Sequence, residues 1–280
     1  MVIGLHFRKR IERITSITQQ IILFLQSRQI EVLITEENQD LFPGIAVFHK
    51  HNAQTLDFLI SIGGDGTFLH ASQYAIQHQI PIIGINYGYT GFLTTIEKED
   101  IFASLVDIIE NRYTIEERTV IKASLIRNSK ECAVHFAVND IVVQRDVQDK
   151  ILQLTVFLGK HKIMEVRGDG LITATSTGST AYSLSNGGPI VDPKCPVFLI
   201  NPIGSHSLTS RCILVPDNKR IFITISTANQ YSKMIYDGIE AIPIQDQDRI
   251  SIEKNAFPLK RVVLQPKHFF EILHEKFNWS

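Results

Sequence analysis

Residues 57–76 read DFLISIGGDGTFLHASQYAI, and this stretch decides the fold of the first part of the chain. The apolar run at 57–62 is typical of a buried strand that ends at Gly63, and the residues after Thr67 have a helical pattern. Similar strand-like runs occur at 2–7, 31–34 and 80–85, with helix-like stretches at 11–25 and after Asp100, a good N-cap. Alternating strands and helices predict an α/β domain with a mainly parallel sheet.

The pattern changes after Thr119. Short runs rich in Val, Ile, Thr and Phe occur at 119–126, 151–158, 221–226 and 249–252, separated by Gly, Pro, Asn and Asp. They predict an all-β, sandwich-like domain. Residues 268–277 look helical again, and we expect this end of the chain to return to the α/β domain. The predicted domains are therefore 1–112 joined by 261–280, and 113–260.

Charge and cysteine content limit the possible functions. The 280 residues include 28 Lys plus Arg and 29 Asp plus Glu, so the formal net charge is -1. A chain this balanced has no overall field to hold nucleic acid or an anionic membrane, and we expect neither as a partner. The three scattered cysteines lack a CxxC pair, which argues against a disulfide framework and a thiolate zinc site. Because the N-terminus also lacks the apolar core of a signal peptide, we expect a cytoplasmic protein.

The glycines at 63–66 mark a candidate phosphate site. In a Gly-rich turn between a strand and a helix, the backbone can approach an anion, and the amide groups and helix dipole face it. Asp65 is unexpected there, because a carboxylate repels phosphate, and it suggests a base or a metal ligand. The alternative is a tight turn in which Asp65 caps the helix. The chain has neither GxxxxGK[ST] nor GxGxxG at a βα junction, which argues against a P-loop enzyme and an ordinary dinucleotide-binding dehydrogenase.

Three polar stretches in the second half are further candidates. Residues 175–189 read TSTGSTAYSLSNGGP. Their hydroxyl and backbone N–H groups can line a ligand, and Tyr182 offers a stacking face. The alternative is a Ser/Thr-rich loop that caps a short helix. Arg167 and Asp169, in RGDG, suit either a phosphate clamp or a turn with an exposed ion pair. The Asn-Asp pair at 139–140 is, taken alone, typical of an Asx turn that opens a strand.

The motifs quoted above belong to a longer series. In chain order, this series is GGDGT, ND, RGDG, TSTGSTAYSLSNGGP, HSLTSR and YDG. The series resembles that of the bacterial-type NAD kinases. The resemblance covers essentially the whole chain. TGSTAYSLS followed by GGP is very specific, whereas diacylglycerol and sphingosine kinases and phosphofructokinases have turns similar to GGDGT. The resemblance implies an α/β domain and a β-sandwich with the active site between them. It also implies a homo-oligomer, either a dimer or a tetramer, and transfer of the γ-phosphoryl group of ATP to the 2′-hydroxyl of the adenosine ribose of NAD, which gives NADP.

The resemblance also implies roles for individual residues. Asp65 matches the proton acceptor of the family. The residues expected to bind the nucleotides are Gly63, Gly64, Gly66 and Thr67 in the glycine loop, then Asn139, Asp140, Lys150, Arg167 and Asp169, and then Thr180, Ala181, Tyr182, Ser183, Leu184 and Ser185. Four positions depart from the family pattern and concern NAD affinity more than the reaction. They are Asp140 for Glu, Ser176 for Pro, Cys212 for Pro, and Ile239 for a residue that is often Gln.

The chemistry of the residues agrees with this function. A sugar hydroxyl attacks poorly while it keeps its proton, and a carboxylate within hydrogen-bond reach can accept that proton. The sequence offers no acidic cluster for an all-protein metal site, so we expect Mg²⁺ to arrive with ATP, held mainly by phosphates. A lipid or sugar kinase and a non-catalytic NAD(P)-binding sensor are the alternatives. The polar segment at 175–189 disfavours the first, and Asp65 disfavours the second. Whether polyphosphate replaces ATP stays open.

Overall fold

The computed structural model describes residues 1–8, 12–49, 55–88, 91–145, 151–227 and 232–278. The chain forms two compact units: the first unit is Met1–Glu117 with Pro258–Ser280, and the second unit is Arg118–Phe257. They divide after residue 117 rather than 112, and after residue 257 rather than 260. The difference arises because strands at 114–118 and 259–263 belong to the sheet of the first unit.

The helices and strands alternate up to residue 118, and strands dominate afterwards. The first unit begins with β1 (Val2–Phe7), α1 (Glu12–Ser27), β2 (Glu31–Thr35), β3 (Ala46–Phe48), β4 (Phe58–Gly63), α2 (Asp65–His78), β5 (Ile82–Asn86), α3 (Ile101–Ile109) and β6 (Thr114–Arg118). The second unit contains β7 (Ile121–Arg127), β8 (Lys130–Ala137), β9 (Asp140–Gln144), β10 (Leu152–Leu158), β11 (His161–Gly168), β12 (Gly170–Thr175), α4 (Tyr182–Ser185), β13 (Val197–Ile203), β14 (Ile213–Pro216), β15 (Ile221–Thr227), β16 (Lys233–Tyr236), β17 (Glu240–Pro243) and β18 (Arg249–Lys254). The chain then returns to the first unit with β19 (Leu259–Val263) and α5 (Phe269–Phe277).

The sheet of the first unit has the strand order β3-β2-β1-β4-β5-β19-β6, and its pairs from β3 to β19 are parallel. The predicted α/β fold is confirmed. The buried side of α1, with Ile21, Ile22 and Leu25, shares a core with the strands. The chain moves from β1 to β2 on one side of the sheet and later to β4 on the other. The carboxyl ends of β1 and β4 therefore form the topological switch point, where α/β sheets bind ligands, and GGDGT follows β4 there.

The second unit consists of two antiparallel sheets. Their strand orders are β11-β10-β15-β18-β7-β8 and β14-β13-β12-β9-β16-β17. Side chains from both sheets, such as Leu154 and Ile223 from one and Val143 and Ile200 from the other, form one buried cluster. The predicted sandwich-like all-β architecture is confirmed. In the part of the chain that the structure describes, no helix has the length and apolar character needed to cross a membrane.

Candidate functional site

The loop between β4 and α2 has two kinds of glycine. Gly63 has a φ of +154°, and a Cβ atom there would lie 2.5 Å from the Thr67 hydroxyl oxygen, so only glycine fits. Gly64 and Gly66 differ, because a Cβ atom at either position would have no atom within 4 Å. Gly64 is the N-cap of α2 and has no side chain to cap the helix. The backbone at this helix N-terminus is therefore open to an approaching anion.

Asp65 does not cap α2. Its carboxylate instead accepts three consecutive backbone amides: Oδ2 is 2.8 Å from the Phe92 nitrogen, and Oδ1 is 3.1 Å from Leu93 and 3.3 Å from Thr94. The Thr94 hydroxyl adds a long contact of 3.5 Å to Oδ1. A carboxylate oxygen has about two lone-pair directions, so Oδ2, which accepts one hydrogen bond from the described residues, keeps one direction for a ligand. The carboxylate is half-buried and fixed in place.

The segment that holds Asp65 is itself tightly packed. A Cβ atom on Gly91 would lie 1.9 Å from Oδ1 of Asp65, so this glycine is required for the carboxylate to occupy its position. A Cβ atom on Gly84 would lie 2.9 Å from the Thr94 Cα atom. Sequence reasoning missed the role of residues 91–94, because the bonds come from backbone amides, which no side-chain pattern marks.

Asn86 is a second polar residue at this edge of the sheet that sequence reasoning missed. It ends β5 and is the register partner of Gly63. Its side chain is almost fully buried, donates to a Glu97 carboxylate oxygen at 2.9 Å and accepts from the Gly88 amide at 3.1 Å. The available signal was its place directly after the apolar run at 80–85, because polar residues at the carboxyl ends of parallel strands often face ligands.

In the second unit, Asp237 repeats the arrangement seen at Asp65. Its carboxylate accepts the amides of Val138 at 2.8 Å, Asn139 at 2.8 Å and Asp140 at 3.1 Å. The predicted Asx turn is therefore wrong. In an Asx turn, Asn139 or Asp140 would itself accept a nearby backbone amide, whereas here the accepting carboxylate belongs to an aspartate about a hundred residues later. The signal for Asp237 was the Asp-Gly turn in YDG, where both residues have positive φ.

Asp140 begins β9 and is only 5% exposed. Its carboxylate makes no hydrogen bond within the described residues. Burial, and secondarily the negative charge of Asp237, raises the pKa of Asp140 to about 7. Burial also raises the pKa of Asp237 to about 6, although its three amide bonds act in the opposite direction. Two buried carboxyl groups therefore lie close enough for the charge of one to affect the other. The carboxyl group of Asp140, which makes no hydrogen bond within the described residues, is a ready acceptor for a ligand hydroxyl or amino group.

The hydroxyl groups of residues 175–183 are largely used inside the protein. The Thr175 hydroxyl donates to the Val138 carbonyl at 2.6 Å, and the Ser179 hydroxyl both donates to and accepts from Val191. The Ser183 hydroxyl is buried and accepts from the Asn201 amide at 3.2 Å. The predicted ligand-lining hydroxyls are therefore fewer than the sequence suggests. Between residues 175 and 185, the residues that reach solvent, fully or in part, are Thr180, Ala181, Tyr182, Leu184 and Ser185.

Gly178 brings this segment against the Asn139 backbone. A Cβ atom at Gly178 would lie 2.1 Å from the Asn139 carbonyl oxygen, which also accepts the Thr175 amide at 2.8 Å. Asn139, Asp140, Asp237 and the turn after β12 therefore lie together. Ser176, which stands where the family usually has proline, donates its hydroxyl to the carbonyls of Cys195 and Val197.

Asp169 pairs with Arg145 and not with Arg167. Its Oδ1 atom is 2.7 Å from Arg145 Nε, whereas the Arg167 side chain is exposed. Arg145 was missed because it is 24 residues away in sequence. The Arg167 carbonyl accepts the His206 amide at 2.9 Å, next to a polar cavity of about 350 Å³ lined by residues including Ser207, Arg211 and Cys212.

Lys150 lies outside the described residues. Among the residues described, no group of three or more His, Cys, Asp or Glu side chains is arranged to hold a metal ion.

Comparison with known proteins gives consistent results for both units. Residues 3–113 match the family model of the ATP-NAD kinase N-terminal domain, and residues 138–264 match that of the ATP-NAD kinase C-terminal domain. An NAD kinase from Heliobacterium modesticaldum is 37% identical over 227 residues, which cover 81% of this chain and 80% of that protein. An NAD kinase from Natranaerobius thermophilus is 31% identical over 267 residues, covering 95% of this chain and 93% of that protein.

The fold is also that of a solved structure. The crystal structure of yeast NADH kinase complexed with NADH matches with a TM-score of 0.90, covering 100% of this chain and 88% of that chain, at 23% sequence identity. This likeness concerns the arrangement of the backbone.

Proposed function

Because the chain belongs to the ATP-NAD kinase family, we propose that Asp65 is the proton acceptor of its reaction. The chain phosphorylates NAD to NADP with ATP as the phosphoryl donor. The 2′-hydroxyl oxygen of the adenosine ribose forms a bond to the γ-phosphorus, and the bond between that phosphorus and the bridging oxygen of ADP breaks. The hydroxyl proton passes to Asp65, which later releases it to water.

One observation carries this assignment: three amides fix the Asp65 carboxylate, while Oδ2 accepts a single hydrogen bond from the part of the chain that the structure describes. A proton acceptor must be held within hydrogen-bond reach of the attacking hydroxyl in a defined orientation. Three N–H donors supply that orientation without a positively charged side chain, which would compete for the carboxylate. The open backbone at Gly64 and Gly66 supports binding of the triphosphate beside it.

Mg²⁺ enters this proposal as part of the ATP substrate. The described residues offer no set of three acidic or imidazole ligands for a protein-held ion. Mg²⁺ usually keeps waters and binds phosphate oxygens in such enzymes, where it neutralises charge on the triphosphate.

We further propose that Asn139 and Asp140 bind NAD. The support is a carboxylate that is 5% exposed, has no hydrogen bond within the described residues, and lies at the start of a strand. Removing a buried acceptor from water is costly unless a donor is supplied, and a ligand hydroxyl or amino group supplies it. The remaining expected nucleotide contacts stay proposals. They are Gly63, Thr67, Lys150, Arg167, Asp169 and Thr180–Ser185.

Two broader properties are also proposed. A homo-oligomer, either a dimer or a tetramer, follows from the family resemblance, and light scattering of the purified protein tests it. A cytoplasmic location is supported by the three cysteines, Cys132, Cys195 and Cys212, all of which are unpaired.

The test of the function compares two proteins. The wild type, incubated with ATP, Mg²⁺ and NAD, is expected to give a product with one additional phosphate on the ribose 2′-position. Asp65→Asn is expected to lower kcat by ~10²–10⁴-fold, the usual contribution of general-base catalysis. Because the amide nitrogen of Asn cannot accept a hydrogen bond, the variant also loses one bond to residues 92–94 and about 1–3 kcal/mol of stability. Assays well below the melting temperature separate the two effects. A kcat within tenfold of wild type would exclude the proposed role.

A further inference from the structure

Two of the peptide units that hold Asp65 form hydrogen bonds through both their N–H and their carbonyl groups. The amides of Leu93 and Thr94 donate to the Asp65 carboxylate. The carbonyls of the same two peptide units, those of Phe92 and Leu93, accept from Nη1 of Arg261, at 3.0 and 3.3 Å. Each peptide plane therefore lies between a guanidinium group on its carbonyl side and a carboxylate on its N–H side.

The sheet of the first unit places the Arg261 guanidinium beside these two carbonyls. It lies in β19 opposite Ile82 of β5 and is 3% exposed. Its Nε and Nη2 atoms donate to Glu116 of the neighbouring β6. The guanidinium thus has its charge balanced on one side while Nη1 is directed at the two carbonyls. Among the described residues, Arg261 is the only hydrogen-bond donor to these carbonyls.

The rest of the segment is anchored differently. The amides of Thr95 and Ile96 donate to the Gly84 carbonyl of β5, so the backbone after Thr94 is fixed by the sheet. The two peptide units before that point lack a strand partner on their carbonyl side. Their orientation, and with it the direction of their N–H groups, depends on Arg261.

We propose that Arg261 is a positioning residue for the reaction: it orients and polarises the two peptide units that hold the Asp65 carboxylate. Hydrogen bonds in a chain strengthen one another, and a charged donor on the carbonyl side makes the N–H groups better donors. Arg261 touches neither substrate in this account and acts through Asp65. The inference therefore rests on the role proposed for Asp65.

The test begins with Arg261→Lys. Lys keeps the positive charge but has one nitrogen atom, which cannot occupy the separate positions from which Nη1 bonds the two carbonyls and Nε and Nη2 bond Glu116. Because a displacement of about 1 Å at the reacting groups costs up to ~10²-fold, we expect kcat to fall ~10–100-fold. The KM values for ATP and NAD should stay within about threefold of wild type, because no ligand contact is removed. A merely structural arginine would not lower kcat selectively at a temperature where the variant is fully folded.

Arg127→Lys is the matched control. Arg127 also bridges a buried carboxylate and a carbonyl, with Nε and Nη2 on Asp248 and Nη2 on Pro243, but it lies in the second unit. It should lower the melting temperature and leave kcat unchanged. If Arg261→Lys does not fold, Glu116→Gln provides the second variant, because it removes the charge that holds the guanidinium. A fall in kcat of at least threefold is then expected.

A double-mutant cycle decides between the outcomes. With Asn at position 65, Arg261→Lys should change the residual kcat by less than about threefold, because the group it positions is gone. An equal loss in both backgrounds, or a wild-type kcat in Arg261→Lys, would overturn the inference. If Asp65→Asn alone keeps wild-type kcat, the proposed function fails instead, so the two failures are distinguishable.

Discussion

Replacing Asp140 by Asn should raise stability at neutral pH while weakening NAD binding. The folded protein holds the proton of Asp140 more tightly than the unfolded chain does, because burial raises the pKa from about 3.8 to about 7. A carboxyl group of this kind stabilises the fold below pH 3.8 and loses that contribution as the pH rises through 7. Above pH 7 the folded protein carries a buried charge that Asn does not have.

The magnitude follows from the size of the shift. About three pKa units correspond to about 4 kcal/mol at 1.36 kcal/mol per unit. The Asn side chain has two buried N–H donors to satisfy, which costs about 1–3 kcal/mol. We therefore expect Asp140→Asn to be about 1–3 kcal/mol more stable than wild type at pH 8. Near pH 4 the carboxyl is neutral in the folded state and only the cost of the Asn donors remains. Asp140→Asn should there be less stable than wild type by about 1–3 kcal/mol.

Thermal and urea unfolding of both proteins between pH 4 and 8 measures this difference. Asp217→Asn is the matched control, because Asp217 is equally buried in the same unit but lies 2.7 Å from Lys254. It should destabilise the protein at pH 8, since it leaves the lysine unpaired. NAD titration should show at least a tenfold weaker affinity for Asp140→Asn, because a hydrogen bond to a charged acceptor is lost. Parallel stability curves for wild type and Asp140→Asn across this pH range would refute the reasoning.

Three further predictions concern the first unit. Burial lowers the pKa of His6 to about 3, and both of its ring nitrogens lack hydrogen-bond partners among the described residues. The free energy of unfolding should therefore fall by about 2 kcal/mol between pH 6.5 and 5, as the unfolded chain takes up a proton. His6→Phe should remove this loss, and a variant whose stability in urea falls with acid as that of wild type does would contradict it. Gly91→Ala should lower kcat at least ~10²-fold, because its Cβ would lie 1.9 Å from Asp65 Oδ1, whereas Gly88→Ala, whose Cβ meets nothing within 4 Å, should keep wild-type kcat. A chain that ends after residue 267 lacks α5, whose Phe269 and Phe277 contact the Phe92 ring, and should melt at a lower temperature than the full chain; equal melting temperatures would mean that α5 contributes no stability.

Much of the fold could be predicted from local patterns. The apolar run before Gly63 predicts β4 to within one residue, and the helical spacing after Thr67 predicts α2 to within three residues. This is possible because a buried parallel strand and an amphipathic helix have different periods. The return of the chain end to the first unit was also foreseen from the helical pattern at 268–277. The strand β3, with three residues, was not predicted, since so short a run has no period to detect.

The partners of the two central carboxylates could not be predicted. Asp65 is bound by amides 27 to 29 residues away, and Asp237 by amides 97 to 99 residues away. Backbone amides are present at every residue except proline, so no residue type reveals which of them a carboxylate will bind. For the hydroxyl groups of residues 175–185, the sequence predicted more ligand contacts than the structure allows. A hydroxyl group can donate to a buried carbonyl as well as to a ligand, and the residue type does not distinguish the two.

The most direct test of the role of Asp65 is a single-turnover measurement of phosphoryl transfer. Wild type and Asp65→Asn, each in excess over NAD, are mixed rapidly with saturating ATP and Mg²⁺, and NADP formation is followed by quenching. NAD affinity is determined separately by calorimetry. The account predicts that the transfer step slows at least ~10²-fold while the Kd for NAD changes by less than tenfold. A transfer rate equal to that of wild type, or a loss found only in NAD affinity, would contradict it.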